Sequence, residues 1–254
     1  MADTAALAHQ LLELHHRGTT LVLPTVWDAW SARAVVGAGF EALTIGSHPL
    51  AESRGQSDHE GMTLDDAMDG IRRVTGAVDV PVSADVESGY GAAPAELVER
   101  VLEAGAVGVN VEDTVHSEGG RMRSSQEHAE YIGAMRAAAD DAGVELVINA
   151  RTDVFLKPAS TFEDPVAEAI ERLRACQVAG ARCLYPVLAP DADTVRTLLA
   201  ELDAPINVVA DPIDGSSAGK IEELRALGVH RVSFGPVLQR RLEDPIAQLL
   251  APWK

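Results

Sequence analysis

"AELVERVLEAGAVGVNVED", residues 95–113, contains two different spacings of apolar residues. Leu97, Val98, Val101 and Leu102 follow a helical spacing as far as Ala104. Gly105 interrupts it, and Val107, Val109 and Val111 then alternate with Gly108, Asn110 and Glu112. The first half predicts an amphipathic helix closed by glycine, the second a strand with one apolar and one polar face. The same unit recurs along the chain. Strand-like runs read "LVLPT" from Leu21, "ALTIG" from Ala42, "VPVSADV" from Val80, "VGVNVED" from Val107, "LVINART" from Leu146, "CLYPVL" from Cys183, "INVVAD" from Ile206 and "RVSFGP" from Arg231. Helical segments lie between them, several closing on glycine in "GAGF", "EAGAVGV", "VAGARC" and "ALGVHRV". Alternating strands and helices imply right-handed βαβ units and a parallel sheet. Eight units in this length predict a (β/α)₈ TIM-type barrel, residues 1–254 forming one domain. A doubly wound open sheet is the alternative, but no strand leads into a G-x-G-x-x-G turn. The tail after the eighth strand is short and holds Pro236 and Pro245, so an abbreviated last helix is expected.

Composition narrows the partners. Lys and Arg number 21 and Asp and Glu 39, a net charge of −18 that argues against nucleic acid or an anionic membrane. A small anionic carboxylate, held in a locally positive site, remains compatible with that balance. Cys176 and Cys183 have no metal-type spacing and read as small buried hydrophobes. The N-terminal segment has no signal-peptide pattern, and no apolar run reaches membrane length, so a cytoplasmic protein is expected. His15 and His16 read as surface residues of a helix.

Active sites of such barrels lie at the C-terminal ends of the strands. There, alternation puts Ser83, Asp85 and Glu87 on one face of the third strand, opposite Val80, Val82 and Ala84. Asn110 and Glu112 share a face of the fourth strand, and Asn149, Arg151 and Asp153 a face of the fifth. The apolar faces suit helix packing, which turns the polar faces toward the axis. Three consecutive strands thus bring acids and one arginine to the mouth, although any single acid there is more often a solvated strand end. Clustered carboxylates repel one another unless a cation neutralises them. Oxygen donors without a Cys or His cluster favour Mg²⁺ or Mn²⁺ over Zn²⁺. Arg151 could pair with an anionic substrate group.

Taken together, "LVLPTVWDAWSARAVVGAGFEALTIGS", "DVESGYG", "EAGAVGVNVEDT", "INARTD" and "GVHRVSFGPVL" resemble the isocitrate lyase/phosphoenolpyruvate mutase superfamily, specifically its short phosphoenolpyruvate phosphonomutase-like members. The resemblance implies a barrel whose eighth helix is swapped between subunits of a homodimer or homotetramer. It also implies Mg²⁺ at the mouth and 2-oxo acids or related carboxylates as substrates. By that resemblance Asp85 is the direct metal ligand, with Glu87, Glu112 and Asp58 holding the metal through water. Ser47, with Gly46 and His48, is the cradle for a substrate carboxylate. Arg151 grips the substrate's anionic end; Arg151 and Asp58 are the catalytic candidates, and Asn207 is a further substrate-binding candidate. Gly89 and Gly91 are expected to let the loop pass close to metal and ligand.

The segment Thr114–Ser125, "TVHSEGGRMRSS", departs from the family. It lacks the cysteine of the "KCGH"-type loop of isocitrate and methylisocitrate lyases, and the Lys- and Asn-bearing gate of the mutases. Gly119 and Gly120 fit a mobile lid, whereas His116, Glu118, Arg121 and Arg123 read as solvated loop residues. Asp28 reads as a helix N-cap, and Asp211 either faces the mouth or makes a turn. The expected function is a Mg²⁺-dependent lyase or hydrolase cleaving a C–C or P–C bond of a 2-oxo acid through an enolate. A phosphoenolpyruvate/phosphonopyruvate mutase and a non-catalytic binder of 2-oxo or dicarboxylic acids are the alternatives.

Overall fold

The computed structural model describes residues 4–254. Strand β1 runs in two pieces, Leu21–Leu23 and Thr25–Val26, divided at Pro24, which has no N–H for a ladder. Then follow β2 (Leu43–Ile45), β3 (Val82–Asp85), β4 (Gly108–Glu112), β5 (Val147–Thr152), β6 (Cys183–Pro186), β7 (Asn207–Val209) and β8 (Arg231–Ser233). All pairings among them are parallel. The first piece of β1 pairs with β8 and the second with β2, so this strand joins the two ends of the sheet. β2 to β6 pair in chain order, β7 pairs with β8, and a parallel bridge from Leu184 to Ile206 links β6 to the entry of β7. The pairings run round a closed ring, the arrangement of a (β/α)₈ barrel and not of an open sheet. β3 starts at Val82, later than the sequence pattern suggests, because Pro81 cannot donate to a neighbour.

The helices follow from caps and apolar stripes. Asp28, Thr63 and Ser124 each accept a hydrogen bond from a first-turn N–H and start Ala29–Gly37, Leu64–Thr75 and Ser125–Asp141. Gly39, Gly105, Gly180 and Gly228 follow helix ends at φ 93°, 85°, 107° and 87°, the left-handed conformation in which a side chain is disfavoured. Val82, Ala84, Val109, Val111, Ile148 and Ala150 face outward into the core with Leu97, Val101, Ile132, Met135 and Leu173 of the helices. Inside the barrel, Ser83, Asn110, Asn149 and Arg231 are buried, with Arg231 Nη2 3.1 Å from Asn110 Oδ1. The expected division of strand faces is therefore present.

Both ends of the chain are informative. Helix Thr4–His16 buries Ala8 and Leu11 against Leu21, Leu23, Val107 and Val147. His15, expected at the surface, belongs to this buried stripe and holds Leu11 O at 2.7 Å through Nδ1. At the other end, Val237–Arg240 is one turn long and is followed by Glu243–Leu250, which has no buried residue. Ile246, Leu249, Leu250 and Trp253 are exposed at 56, 74, 55 and 86%, and their spacing puts them along one side of the tail. Cys176 and Cys183 are buried free thiols, as expected.

Candidate active site

Parallel register brings the functional side chains together. Asp85 and Glu112 end β3 and β4, and Glu112 pairs in register with Arg151 of β5, which pairs with Tyr185 of β6. Ser47 opens the helix after β2 and donates its hydroxyl to Asp85 Oδ2 at 3.2 Å; the Glu87 N–H donates to Asp85 Oδ1 at 3.2 Å. Glu112 has a basic partner on each oxygen: His116 Nε2 lies 2.6 Å from Oε1 and Arg151 Nη1 2.6 Å from Oε2. Arg151 Nε donates to Asp153 Oδ1 at 2.7 Å. The Glu87 carboxylate accepts from the Glu60 N–H at 2.5 Å and from the Tyr90 hydroxyl at 3.1 Å. Asp58 meets His48 Nδ1 at 3.1 Å, while His48 Nε2 faces Arg240 at 3.2 Å.

This is a strained electrostatic arrangement. Burial pushes the Asp85 carboxyl above its ordinary range, with Arg151 opposing and Asp58 adding to the rise. Burial, reinforced by Asp85 and Asp58, pushes Glu87 up to about 8. Glu112 rises to about 7, again through burial, against the pull of Arg151 and His116. His116 moves upward in turn because it bonds to Glu112. The protein has gathered more negative charge than Arg151 can balance, and a divalent cation would relieve it. Glu87, Glu112 and His116 each offer a donor atom within 4.8 Å of the others, with Asp85 bonded to the Glu87 backbone beside them.

The loops above the strands are tied to one another through Glu60. Its carboxylate accepts from Ser88 Oγ at 2.5 Å, from Tyr90 N at 2.9 Å and from Ser117 N at 2.9 Å, which joins the loops after β2, β3 and β4. His59, Glu60, Glu87, Tyr90 and Leu188 are the described non-glycine residues with positive φ, and all lie in loops leaving C-terminal strand ends. The segment Thr114–Ser125, expected to act as a lid, contains the short antiparallel hairpin of Thr114–Val115 with Arg121–Met122. Two of its residues differ from the solvated-loop expectation. His116 turns inward to Glu112 and stacks on His59, ring centroids 4.5 Å apart. Arg123 donates to Ser88 O at 2.9 Å and Glu112 O at 3.3 Å while lying 4.2 Å over the Tyr131 ring. Glu118 and Arg121 pair with each other at the surface, as expected.

The expected site residues Gly46, Ser47, His48, Asp58, Asp85, Glu87, Glu112 and Arg151 thus occupy the loops and strand ends of one face. Asn207 is not brought to them. It is fully buried at the start of β7 and donates to Ser233 Oγ at 3.2 Å. Asp211 makes the turn, accepting from Ile213 N and Asp214 N and pairing with Arg241, and Asp28 is the helix cap. At Gly89, φ 109°, a side chain would collide with the Tyr131 hydroxyl, so the backbone there approaches protein closely. Behind the strands lies a network that alternation alone does not reveal. Asp113 accepts from Thr152 Oγ1 at 2.6 Å and Asp153 N at 2.9 Å, and pairs with Arg172 at 3.3 Å. It fixes the backbone beside Arg151. A signal was present: Arg172 shares the buried stripe Ala169, Arg172, Leu173 and Cys176 of its helix.

Comparison with known proteins agrees with this fold. Residues 11–251 match the family model described as phosphoenolpyruvate phosphomutase. A 2-methylisocitrate lyase of Halalkalibacterium halodurans is 28% identical over 240 residues, 91% of this chain and 75% of the relative. Among solved structures, a provisionally assigned phosphonomutase from Burkholderia cenocepacia superposes with a TM-score of 0.87 at 38% identity, covering 96% of this chain and 99% of that one. The oxaloacetate acetylhydrolase structure with its product oxalate gives 0.85 at 26% identity, covering 98% and 86%.

Proposed function

The chain belongs to the phosphoenolpyruvate phosphomutase family, and on that premise we propose that it is a lyase or hydrolase breaking a C–C or P–C bond of a 2-oxo acid or related carboxylate. The group of buried Glu87 and Glu112 with half-buried Asp85 carries this reading, because such a charge excess suits a divalent ion beside an anionic substrate. The donors are mainly hard carboxylate oxygens, which fit Mg²⁺ or Mn²⁺. A bound ion would supply electrostatic stabilisation of negative charge developing on the substrate.

This chain's residues divide the remaining work. Ser47 and the first N–H groups of its helix, which have no partner within the helix, receive the carboxylate. Arg151 is held by Glu112 through Nη1 and by Asp153 through Nε, leaving Nη2 to face an anionic substrate group. Asp58 sets His48, and the Glu60 ties keep water out by holding three loops together. When the bond breaks, its electron pair stays on the carbon next to a carbonyl or carboxylate as an enolate that a proton then quenches. The other fragment leaves as a 2-oxo acid in a lyase reaction or is taken up by water in a hydrolysis, and fixed positive groups favour the enolate.

A panel of oxaloacetate, phosphonopyruvate, phosphoenolpyruvate and substituted malates, followed by NMR with Mg²⁺, tests the activity. Release of pyruvate, oxalate or phosphate that a chelator stops is the expected result. Interconversion of phosphoenolpyruvate and phosphonopyruvate would assign the mutase reaction instead. Tight binding with no turnover across the panel would assign a binder.

Metal binding should depend on pH in a definite direction. Burial pushes Glu87 up to about 8 and Glu112 to about 7, so both should take up protons as pH falls through that range. A divalent ion must displace them, and affinity should fall by up to about tenfold per pH unit for each proton displaced. Calorimetry between pH 6 and 8.5, in buffers of different ionisation enthalpy, should detect proton release. A flat profile would contradict the arrangement.

We further propose one barrel domain, acting in the cytoplasm, with its last helix exchanged in a homodimer or homotetramer. Among the described residues no helix is long and apolar enough to cross a membrane. The exposed stripe of Ile246, Leu249, Leu250 and Trp253 suits burial on a second copy. Light scattering should find a dimer or tetramer at micromolar concentration, and Leu249→Glu with Trp253→Glu should shift it toward monomer. A monomeric parent protein would refute the exchange.

A further inference from the structure

The lid contributes a residue that oxygen-only metal chemistry does not need. His116 Nε2 lies 2.6 Å from Glu112 Oε1, and it forms, with one oxygen each of Glu87 and Glu112, a group of donors all within 4.8 Å. The imidazole is held in place from three sides. His59 stacks against it at 4.5 Å, the next residue's N–H is fixed by Glu60 at 2.9 Å, and the strands on either side, Thr114–Val115 and Arg121–Met122, pair to close the hairpin. Its side chain is 18% exposed, far less than the neighbouring Glu118 at 53%.

We propose that His116 is a ligand of the ion at this mouth, and that the site therefore selects first-row transition ions over Mg²⁺. The inference rests on the reading that the mouth holds a divalent ion. Imidazole nitrogen is a borderline donor that suits Mn²⁺, Fe²⁺ and Co²⁺, with affinity rising along that series. Mg²⁺ sheds water reluctantly and favours oxygen, so it gains little from the same nitrogen. Glu112 Oε1 and His116 Nε2 face each other at 2.6 Å, so both atoms are already directed to one place where an ion could take them up. If His116 were only a cation paired with Glu112, it would compete with the metal. Its removal would then strengthen binding of both ions. The two roles therefore predict opposite signs.

Calorimetry of the intact protein with Co²⁺ and with Mg²⁺ at pH 8, in the parent and in His116→Gln, separates them. The variant should bind Co²⁺ about tenfold or more weakly, while Mg²⁺ binding changes by less than about threefold. Pulsed EPR of the Mn²⁺-loaded parent should show coupling to an imidazole ¹⁴N, lost in the variant. The ion-free melting curve checks that the variant folds, and the parent's EPR spectrum decides the question even if it does not. Tighter or equally weakened binding of both ions, or a parent spectrum without nitrogen coupling, overturns the assignment while leaving a divalent site in place. A parent that binds neither ion removes the metal reading as well.

Discussion

Asp85→Asn should abolish the metal-induced rise in melting temperature and lower turnover about 1000-fold or more, while leaving the ion-free protein as stable as the parent or more so. The two expectations have one cause. Asp85 stands where the loops converge, with Ser47 Oγ and the Glu87 N–H on its two oxygens, and burial already raises its carboxyl. A group whose pKa is raised on folding costs stability once pH exceeds its unfolded value, so a neutral, isosteric amide relieves the ion-free fold. The same change removes the negative oxygen that an ion needs. Differential scanning fluorimetry with and without Mg²⁺ and Mn²⁺, beside the turnover assay, reads both effects. A metal-induced shift that survives the substitution would place the ion elsewhere.

Arg151→Ala should destabilise the ion-free protein by about 3 kcal/mol near pH 8 and by clearly less near pH 6. Arg151 is the shared partner of Glu112 and Asp153, both nearly fully buried. Its loss leaves Asp153 without its guanidinium and Glu112 with His116 alone. Glu112 is already pushed up to about 7 by burial despite Arg151, and without that opposing charge it moves higher. Below that value Glu112 takes a proton, and much of the penalty disappears. Stability of the variant should thus fall relative to the parent as pH rises, which urea unfolding at the two pH values measures. Substrate affinity should fall at both. An equal loss of stability at pH 6 and 8, or none at either, would show that the pair does not carry the charge balance assigned to it.

The fold was legible because it is written in periodicities. Valine alternation in β4, glycine after the helices and the order of the strands need only local rules, and Asp85, Glu112 and Arg151 follow from one more, that C-terminal strand ends form the mouth. Local rules fail where partners come from distant segments. His116 and Arg123 read as loop residues because their hydrophilic neighbours say nothing about Glu112, Ser88 or Tyr131. The role of Glu60 has no local signature, since it depends on two left-handed residues bringing the loop back over β3. Alternation alone points Asn207 to the mouth, but its position at the start of β7 puts it deeper, bonded to Ser233. His15 and Arg172 teach a more useful lesson: a polar residue in register with a buried stripe points to a partner inside.

The backbone conformations at the mouth also bear on how this protein can change over generations. His59, Glu60, Glu87, Tyr90 and Leu188 hold left-handed φ values that disfavour L-side chains by about 1 kcal/mol or more, and the opposite end of the barrel has no described non-glycine residue of this kind. The two faces therefore differ in evolvability. Mutations that stiffen the lower face add to a reserve, whereas the upper loops draw on it to keep histidine and glutamate where glycine or asparagine would sit more easily. New specificities within this lineage are thus most accessible to sequences whose lower half has already been stabilised. A laboratory selection for altered substrates would do well to start from such a background.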